Sequence, residues 1–445
     1  MKTCKIFLSL ATAFAVLFSV GKTHAQSTYK IVFAFGGSNG LFPSSKLIFD
    51  ASGNIFGTTE DGGDMDSGCS LYQGCGVVFE LSPSGHGGWR DTSLFRFSTS
   101  ATGALPWGAL VLSSSGGVIG TTPNGGNSKH CAGAVSGCGV VYQLTPSTGH
   151  WSQKVLQYLN SFANGGIPDG LISDSAGNLY GIADVGANRG CNGGGCGTIF
   201  RLSPTSSGGW QETVLYTFTG GSDGGAPFGG LTLDTAGNLY GATLAGGNLL
   251  TGCLTSAGPG CGVIFKLSPT SSGPWDESVL YTFSSAADGA YPNGDLAFDS
   301  AGNLYGTTAG GGSANSICYY YGLCGVVFQL SPSASGPWTQ TVIHSFTGGA
   351  DGANPTAGVI VDSSSNVYGA TASGGDTVSA TCSTINGCGV VFKIAPTSGG
   401  WDNTVLHTFH GGDGACPSQP LTFDSSGNLF GTASCFSGVV FQIKP

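Results

Sequence analysis

Cysteine is the residue whose spacing first suggests chemistry. The chain has 445 residues and 15 cysteines. Cys4 stands alone in an apolar leader. The other 14 fall into neighbouring pairs: Cys69/Cys75, Cys131/Cys138, Cys191/Cys196, Cys253/Cys261, Cys318/Cys324, Cys382/Cys388 and Cys416/Cys435. A zinc site would need Cys-x2–4-Cys spacing with further Cys or His ligands nearby. These pairs are 5 to 19 positions apart, and no histidine recurs beside them. An even count in an exported chain reads as disulfides, so seven are expected, one per pair. Neither a His-Glu-x-x-His motif nor a phosphate-binding loop occurs, so zinc-hydrolase and nucleotide chemistry have no motif to rest on. No catalytic residue is assigned.

The remaining reactive side chains are few. Charged residues make up 9 % of the chain, 14 Lys and Arg against 24 Asp and Glu, for a net charge of −10. With no basic cluster to track phosphates, nucleic acid is excluded as a partner, and an anionic membrane surface is disfavoured. The candidate ligand-binding residues are Lys46, Asp169 and Asp295, with Trp107 and Tyr291 beside recurring prolines. Aromatic rings next to short polar groups suit a sugar face, and paired carboxylates at a common opening could do acid–base work. No cofactor is indicated. Calcium is the one metal left open, although the recurring acids lack companions at calcium-loop spacing.

The fold that carries these residues begins after a leader. Lys2 and Lys5, an apolar run from Ile6 to Val20 and the small residues at Thr23-His24-Ala25 predict a secretory signal peptide cleaved after Ala25. Residues 1–25 are then removed, and 26–445 form a single domain of charge −13, secreted, extracellular or periplasmic. No second apolar run is long enough to span a membrane.

One segment recurs seven times, ending at Gly57, Gly120, Gly181, Gly241, Gly306, Gly369 and Gly431, 60 to 65 residues apart. Pro43, Pro106, Pro168, Pro227, Pro292, Pro355 and Pro417 keep step with it. Each unit holds four strand-like runs, here named a to d. In the fourth unit these are Leu231–Asp234, Leu239–Thr243, Gly262–Leu267 and Trp275–Phe283. Seven units of four strands predict an all-β, seven-bladed β-propeller of four-stranded blades. The last unit lacks a strand d, and Ile31–Phe35 has the pattern of an orphan strand d. The N-terminal strand is therefore expected to pair with Val439–Ile443, completing the last blade and closing the ring.

The repeat Asp-Ser-Ala-Gly-Asn-Leu-Tyr-Gly-Thr-Thr (Asp299 to Thr308), a glycine-rich loop, and Cys-Gly-Val-Val-Phe-x-Leu-Ser-Pro (Cys324 to Pro332) resemble the Gloeobacter/Verrucomicrobia tandem repeat. The resemblance covers residues 30–445, and a looser likeness to NHL-type propeller repeats supports the same fold. It implies an exported bacterial repeat protein, often with a C-terminal sorting anchor, and supplies no established activity. Here the sequence stops at Lys444-Pro445, so no anchor tail is expected.

Recurring residues receive structural roles. Asp50, Asp174, Asp234, Asp299, Asp362 and Asp424 should accept backbone N–H bonds in the a–b turn. The glycines inside strand b should admit a neighbouring blade, and Trp89, Trp151, Trp210, Trp275, Trp338 and Trp401 should plug the c–d turns. In an up-and-down blade the cysteine loops and the proline connections share one face, the expected binding face. The functional expectation is a monomeric, non-catalytic extracellular binding or adhesion module, for a glycan or a protein. The alternatives are a structural surface-layer component, or a hydrolase or lyase using carboxylates on that face.

Overall fold

The computed structural model describes residues 27–64, 73–85, 87–98, 101–126, 137–160, 164–186, 190–249, 253–255, 258–271, 274–284, 287–316, 318, 324–333 and 337–445. The leader, Cys69 and Cys131 lie outside these residues. Seven four-stranded antiparallel blades form a closed ring, a seven-bladed β-propeller. Blade 1 is built from Leu41–Pro43 with Ile48–Phe49, then Ile55–Asp61, Val77–Pro83 and Trp89–Arg96. Blade 2 holds Trp107–Leu112, Val118–Thr122, Val140–Ser147 and His150–Tyr158. Blade 3 holds Gly166–Ser173, Leu179–Val185, Thr198–Pro204 and Trp210–Thr217. Blade 4 holds Gly225–Leu233, Leu239–Ala245, Val263–Ser268 and Asp276–Thr282. Blade 5 holds Ala290–Phe298, Leu304–Gly310, Val326–Ser331 and Thr339–Ser345. Blade 6 holds Ile360–Val361, Val367–Thr371, Val390–Thr397 and Gly400–Thr408. Blade 7 holds Thr422–Phe423, Leu429–Ala433 and Val439–Lys444.

The missing fourth strand of blade 7 is Thr28–Ala34, antiparallel to Val439–Lys444, with Thr28 opposite Lys444 and Ala34 opposite Val439. The closure read from the strand count is the one observed. It pairs the edge that an open sheet would expose.

Strands b and c form the core of each blade. The strand-b glycines do not serve the neighbouring blade, as the sequence suggested. Each faces an aromatic ring from strand c of its own blade. A Cβ on Gly306 would lie 2.6 Å from Phe328 and 2.7 Å from Leu296, and one on Gly57 would lie 2.6 Å from Phe79. These are cross-strand pairs, Gly306 with Phe328 and Gly57 with Phe79. The glycine gives up its side chain so that the ring can lie over it. Fully burying each ring contributes about 1.5–3 kcal/mol.

Blade-to-blade contact comes from two other devices. The first is the tryptophan at the start of strand d. It does more than cover a turn, because in four blades its ring meets the strand-b aromatic of the preceding blade. Trp89 packs edge-on against Phe430 and Trp401 against Tyr305, and Trp275 and Trp338 are tilted against Tyr180 and Tyr240.

The second device is a latch between Cys-Gly in one blade (Ser437-Gly438 in blade 7) and x-Pro in the next. The glycine's place against the next blade's proline leaves no room for a side chain. A Cβ on Gly262 would lie 2.1 Å from the Thr243 carbonyl oxygen and 2.7 Å from Pro292. The same contact joins Gly76 to Pro106, Gly139 to Pro168, Gly197 to Pro227, Gly325 to Pro355, Gly389 to Pro417 and, across the closure, Gly438 to Pro43. The residue before each proline donates its N–H backwards: Leu105, Ile167, Ala226, Tyr291, Asn354 and Cys416 bond the carbonyls of Cys75, Cys138, Cys196, Cys261, Cys324 and Cys388 at 2.8–3.0 Å. In blade 1, Phe42 uses Ser437. All seven pre-proline residues have φ between 52° and 58°. Pre-proline residues normally stay extended, and a positive φ at a non-glycine residue costs about 1–3 kcal/mol. The repeated hydrogen bond and proline contact hold that conformation.

Five of the seven expected disulfides lie within the described residues and are formed: Cys191–Cys196, Cys253–Cys261, Cys318–Cys324, Cys382–Cys388 and Cys416–Cys435. The turn aspartates behave as expected. Asp299 accepts N–H bonds from Ala301 and Asn303 and the Asn303 side-chain amide, at 2.8–2.9 Å, and the Tyr305 hydroxyl at 3.0 Å. Burial works against the Asp299 charge, but these bonds outweigh it and hold the carboxyl below its ordinary range.

Candidate functional site at the axial opening

The latch brings the residue after each repeat proline to the mouth of the central bore. Ser44, Trp107, Asp169, Phe228, Asn293, Thr356 and Ser418, one from each blade, all line a cavity of about 500 Å³. Lys46, Ala109, Gly170, Gly230, Asp295 and Pro420 line it one step further along the inner strands. Its rim includes Phe42, Glu60, Gln419 and the blade-7 loop residues Ser434, Cys435 and Phe436. Proline connections and a cysteine loop thus share this face, as the blade topology requires.

Small residues let the inner strands crowd around the axis. A Cβ on Gly294 would lie 2.2 Å from the Gly358 nitrogen, and one on Gly108 would lie 2.5 Å from the Gly170 nitrogen. Threonines clamp the same seams. Thr121 Oγ1 donates to the carbonyls of Trp107 and Asp169, at 3.4 and 3.1 Å, and Thr307 Oγ1 to those of Asn293 and Ala357, at 2.9 Å each.

The mouth is asymmetric. In blades 1 to 3 its side chains are tied to the next blade: Ser44 and the Trp107 indole donate to the carbonyls of Pro106 and Pro168, each at 3.2 Å. Asp169 accepts the N–H of Gly170 at 2.7 Å and of Gly229 at 3.0 Å. In blades 5 and 6, Asn293 Oδ1 and Thr356 Oγ1 are buried with no hydrogen-bond partner. An aromatic–carboxylate–aromatic arc (Trp107, Asp169, Phe228) therefore shares the ring with an arc of amide and hydroxyl groups (Asn293, Thr356, Ser418, Ser44).

Charge at the mouth is mostly negative. Lys46 is the one basic side chain among the lining residues, and its Nζ bonds Asp295 Oδ2 at 2.8 Å. Burial pushes Asp169 up to about 6, nearby Asp295 adds to the rise, and the N–H bonds from Gly170 and Gly229 oppose it. Burial followed by the charge of Asp169 lifts Asp184 to about 7. Burial also raises Glu60. A second cavity of about 320 Å³ continues along the inner strands and shares Lys46, Ala109, Gly170, Gly230 and Asp295 with the first.

Of the five sequence-predicted ligand residues, Lys46, Trp107, Asp169 and Asp295 line the cavity. Tyr291 does not: it is 3 % exposed, and its hydroxyl accepts the Leu254 N–H at 3.2 Å. Phe228, Asn293, Thr356, Ser418 and Ser44 were not singled out from the sequence, although each follows a repeat proline. Among the described residues, no group of three or more His, Cys, Asp or Glu side chains could hold a metal ion. His344 and His407 bond Asp351 and Asp413 at 3.2 and 2.9 Å, where tyrosines bond the equivalent aspartates in blades 3 and 4.

Comparison with solved structures gives propellers at low identity. A 6-phosphogluconolactonase-like protein from Bacteroides uniformis has a TM-score of 0.48 at 14 % identity, covering 80 % of this chain and 84 % of that one. A Carbohydrate-Active Enzymes Family AA12 structure from Trichoderma reesei gives 0.43 at 13 %, covering 95 % and 96 %. A gluconolactonase from Xanthomonas campestris gives 0.40 at 13 %, covering 78 % and 89 %. Such values carry nothing about ligand or reaction. No curated protein matches the sequence. No helix among the described residues is long and apolar enough to cross a membrane. The Gloeobacter/Verrucomicrobia repeat matches residues 131–319 and 250–445, and the chain belongs to that repeat family.

Proposed function

We propose that this propeller is an exported binding module whose axial cavity takes a neutral carbohydrate. The ring of residues after the repeat prolines carries the reading. Its side chains differ from blade to blade, and it combines apolar surface from Trp107 and Phe228 with the amide and hydroxyl side chains of Asn293, Thr356 and Ser418. A cavity of about 500 Å³ is of ordinary ligand size, and few, placed polar groups among aromatic walls suit a sugar ring. Net negative charge disfavours a polyanion. Disulfides and a predicted leader support export.

Thermal melting across a panel of neutral, acidic and basic oligosaccharides tests this. A neutral sugar should raise Tm, and Asn293→Ala should abolish the rise with the fold intact. A rise with acidic polysaccharides alone would contradict the reading.

One observation favours a second reading. An acid held near 6 beside another carboxylate, as Asp169 is beside Asp295, has the pattern of a general acid. A reducing-sugar assay on the same panel would then show turnover that Asp169→Asn removes.

A further inference from the structure

We infer that the cavity receives the end of a carbohydrate chain and not an internal stretch. This rests on the reading of the cavity as a glycan site. Residues from all seven blades surround it, so it is a hole on the ring axis and not a groove across the face. Its depth is set by a bar. Lys46 belongs to blade 1 and Asp295 to blade 5, which are not neighbours in the ring, yet Nζ and Oδ2 are 2.8 Å apart. The pair therefore spans the bore, and both residues stand in the wall of the mouth cavity and of the one beneath it. The walls above the bar carry Trp107, Phe228, Asn293, Thr356 and Ser418. A terminal sugar lowered into the hole meets aromatic surface on one side and amide and hydroxyl side chains on the other. An internal stretch would have to enter and leave by the same mouth, because the bar blocks the way through.

The test uses the intact protein and calorimetric titration. Linear hexasaccharides of glucose, xylose and N-acetylglucosamine are titrated first. The soluble polymer of whichever sugar binds follows, about a hundred units long. Kd is expressed per chain. End recognition gives hexasaccharide and polymer the same Kd within about threefold, since each chain offers one end. Recognition of internal stretches makes the polymer tighter per chain by a factor approaching the length ratio, and that result would overturn the inference while leaving the glycan reading intact. If no oligosaccharide binds, the glycan reading fails and takes this inference with it. In Lys46→Ser/Asp295→Ser, which removes the bar, per-chain affinity should begin to rise with chain length; unchanged length-independence would show that the bar is not the stop.

Discussion

The latch and the mouth are a few residues apart in every repeat, yet they obey opposite rules. At the latch the same glycine meets the same proline seven times, and the pre-proline residue repeats one backbone conformation. One residue later, the mouth presents Ser44, Trp107, Asp169, Phe228, Asn293, Thr356 and Ser418. Backbone geometry dictates the first set, because any Cβ would strike a carbonyl or a proline ring. The second set lines a cavity that imposes no common shape. The contrast separates positions fixed by the backbone from positions that face the opening, three of which (Ser44, Trp107 and Asp169) also bond the next blade, and it can be broken by substitution on either side.

The largest effect should come from the latch. Gly262→Ala puts a Cβ 2.1 Å from a carbonyl oxygen at φ +90°, and strain plus overpacking should cost about 3–5 kcal/mol. Guanidinium unfolding measures it; a loss under about 1 kcal/mol would remove the latch from the account. Next is the Cys416–Cys435 bridge, which ties a proline connection to the loop bearing Phe436 at the rim. Cys416→Ser/Cys435→Ser should lower stability by about 2–3 kcal/mol, read from the same unfolding curves.

Two acids give pH-dependent effects, one at a seam and one at the mouth. Burial, then the charge of Asp223, raises Glu277 to about 7, and its Oε1 is buried without a partner. The equivalent Gln340 donates to the Asp288 carbonyl at 3.0 Å. A carboxyl raised on folding holds its proton longer in the native state, so stability is highest below the ordinary glutamate range and falls as pH rises toward 7. Glu277→Gln should abolish that loss, gaining about 1–2 kcal/mol at pH 8, after discounting for solvent screening, and almost nothing at pH 4. Asp169 follows the same sign, losing stability between its ordinary range and about 6. Asp169→Asn should gain at most about 2 kcal/mol at pH 8, offset in part by weaker N–H bonds from Gly170 and Gly229. The melting temperature of each variant against pH checks both signs.

Much of the holding half was legible in the sequence, because a repeat shows its constraints seven times. The strand count, the closure by the N-terminal strand and the turn role of Asp299 came from spacing alone. The partner of each recurring residue was harder to read. The sequence points Gly306 at a neighbouring blade, but its space goes to Phe328 beside it, and it points Trp401 at a turn although the ring reaches Tyr305 in the preceding blade. A sequence shows that a residue recurs, not which neighbour it serves. At the mouth, Trp107 and Asp169 drew notice by being aromatic or charged. Asn293 and Thr356 share their register but have ordinary side chains. Tyr291 was expected beside the cavity; φ of +58° and its latch bond to Cys261 place it against Leu254. A positive φ at a tyrosine before proline leaves no mark in composition.

Binding at the axial opening beside the disulfide loops is open to one decisive titration series. The best-binding neutral oligosaccharide is titrated into the wild-type protein, Trp107→Ala and Trp275→Ala. Trp107 lines the cavity, whereas Trp275 packs against Tyr180 at the start of an outer strand. Trp107→Ala should bind at least about tenfold more weakly, and a folded Trp275→Ala should keep affinity within about twofold of wild type. Binding lost in Trp275→Ala and kept in Trp107→Ala would place the ligand elsewhere than the axial opening.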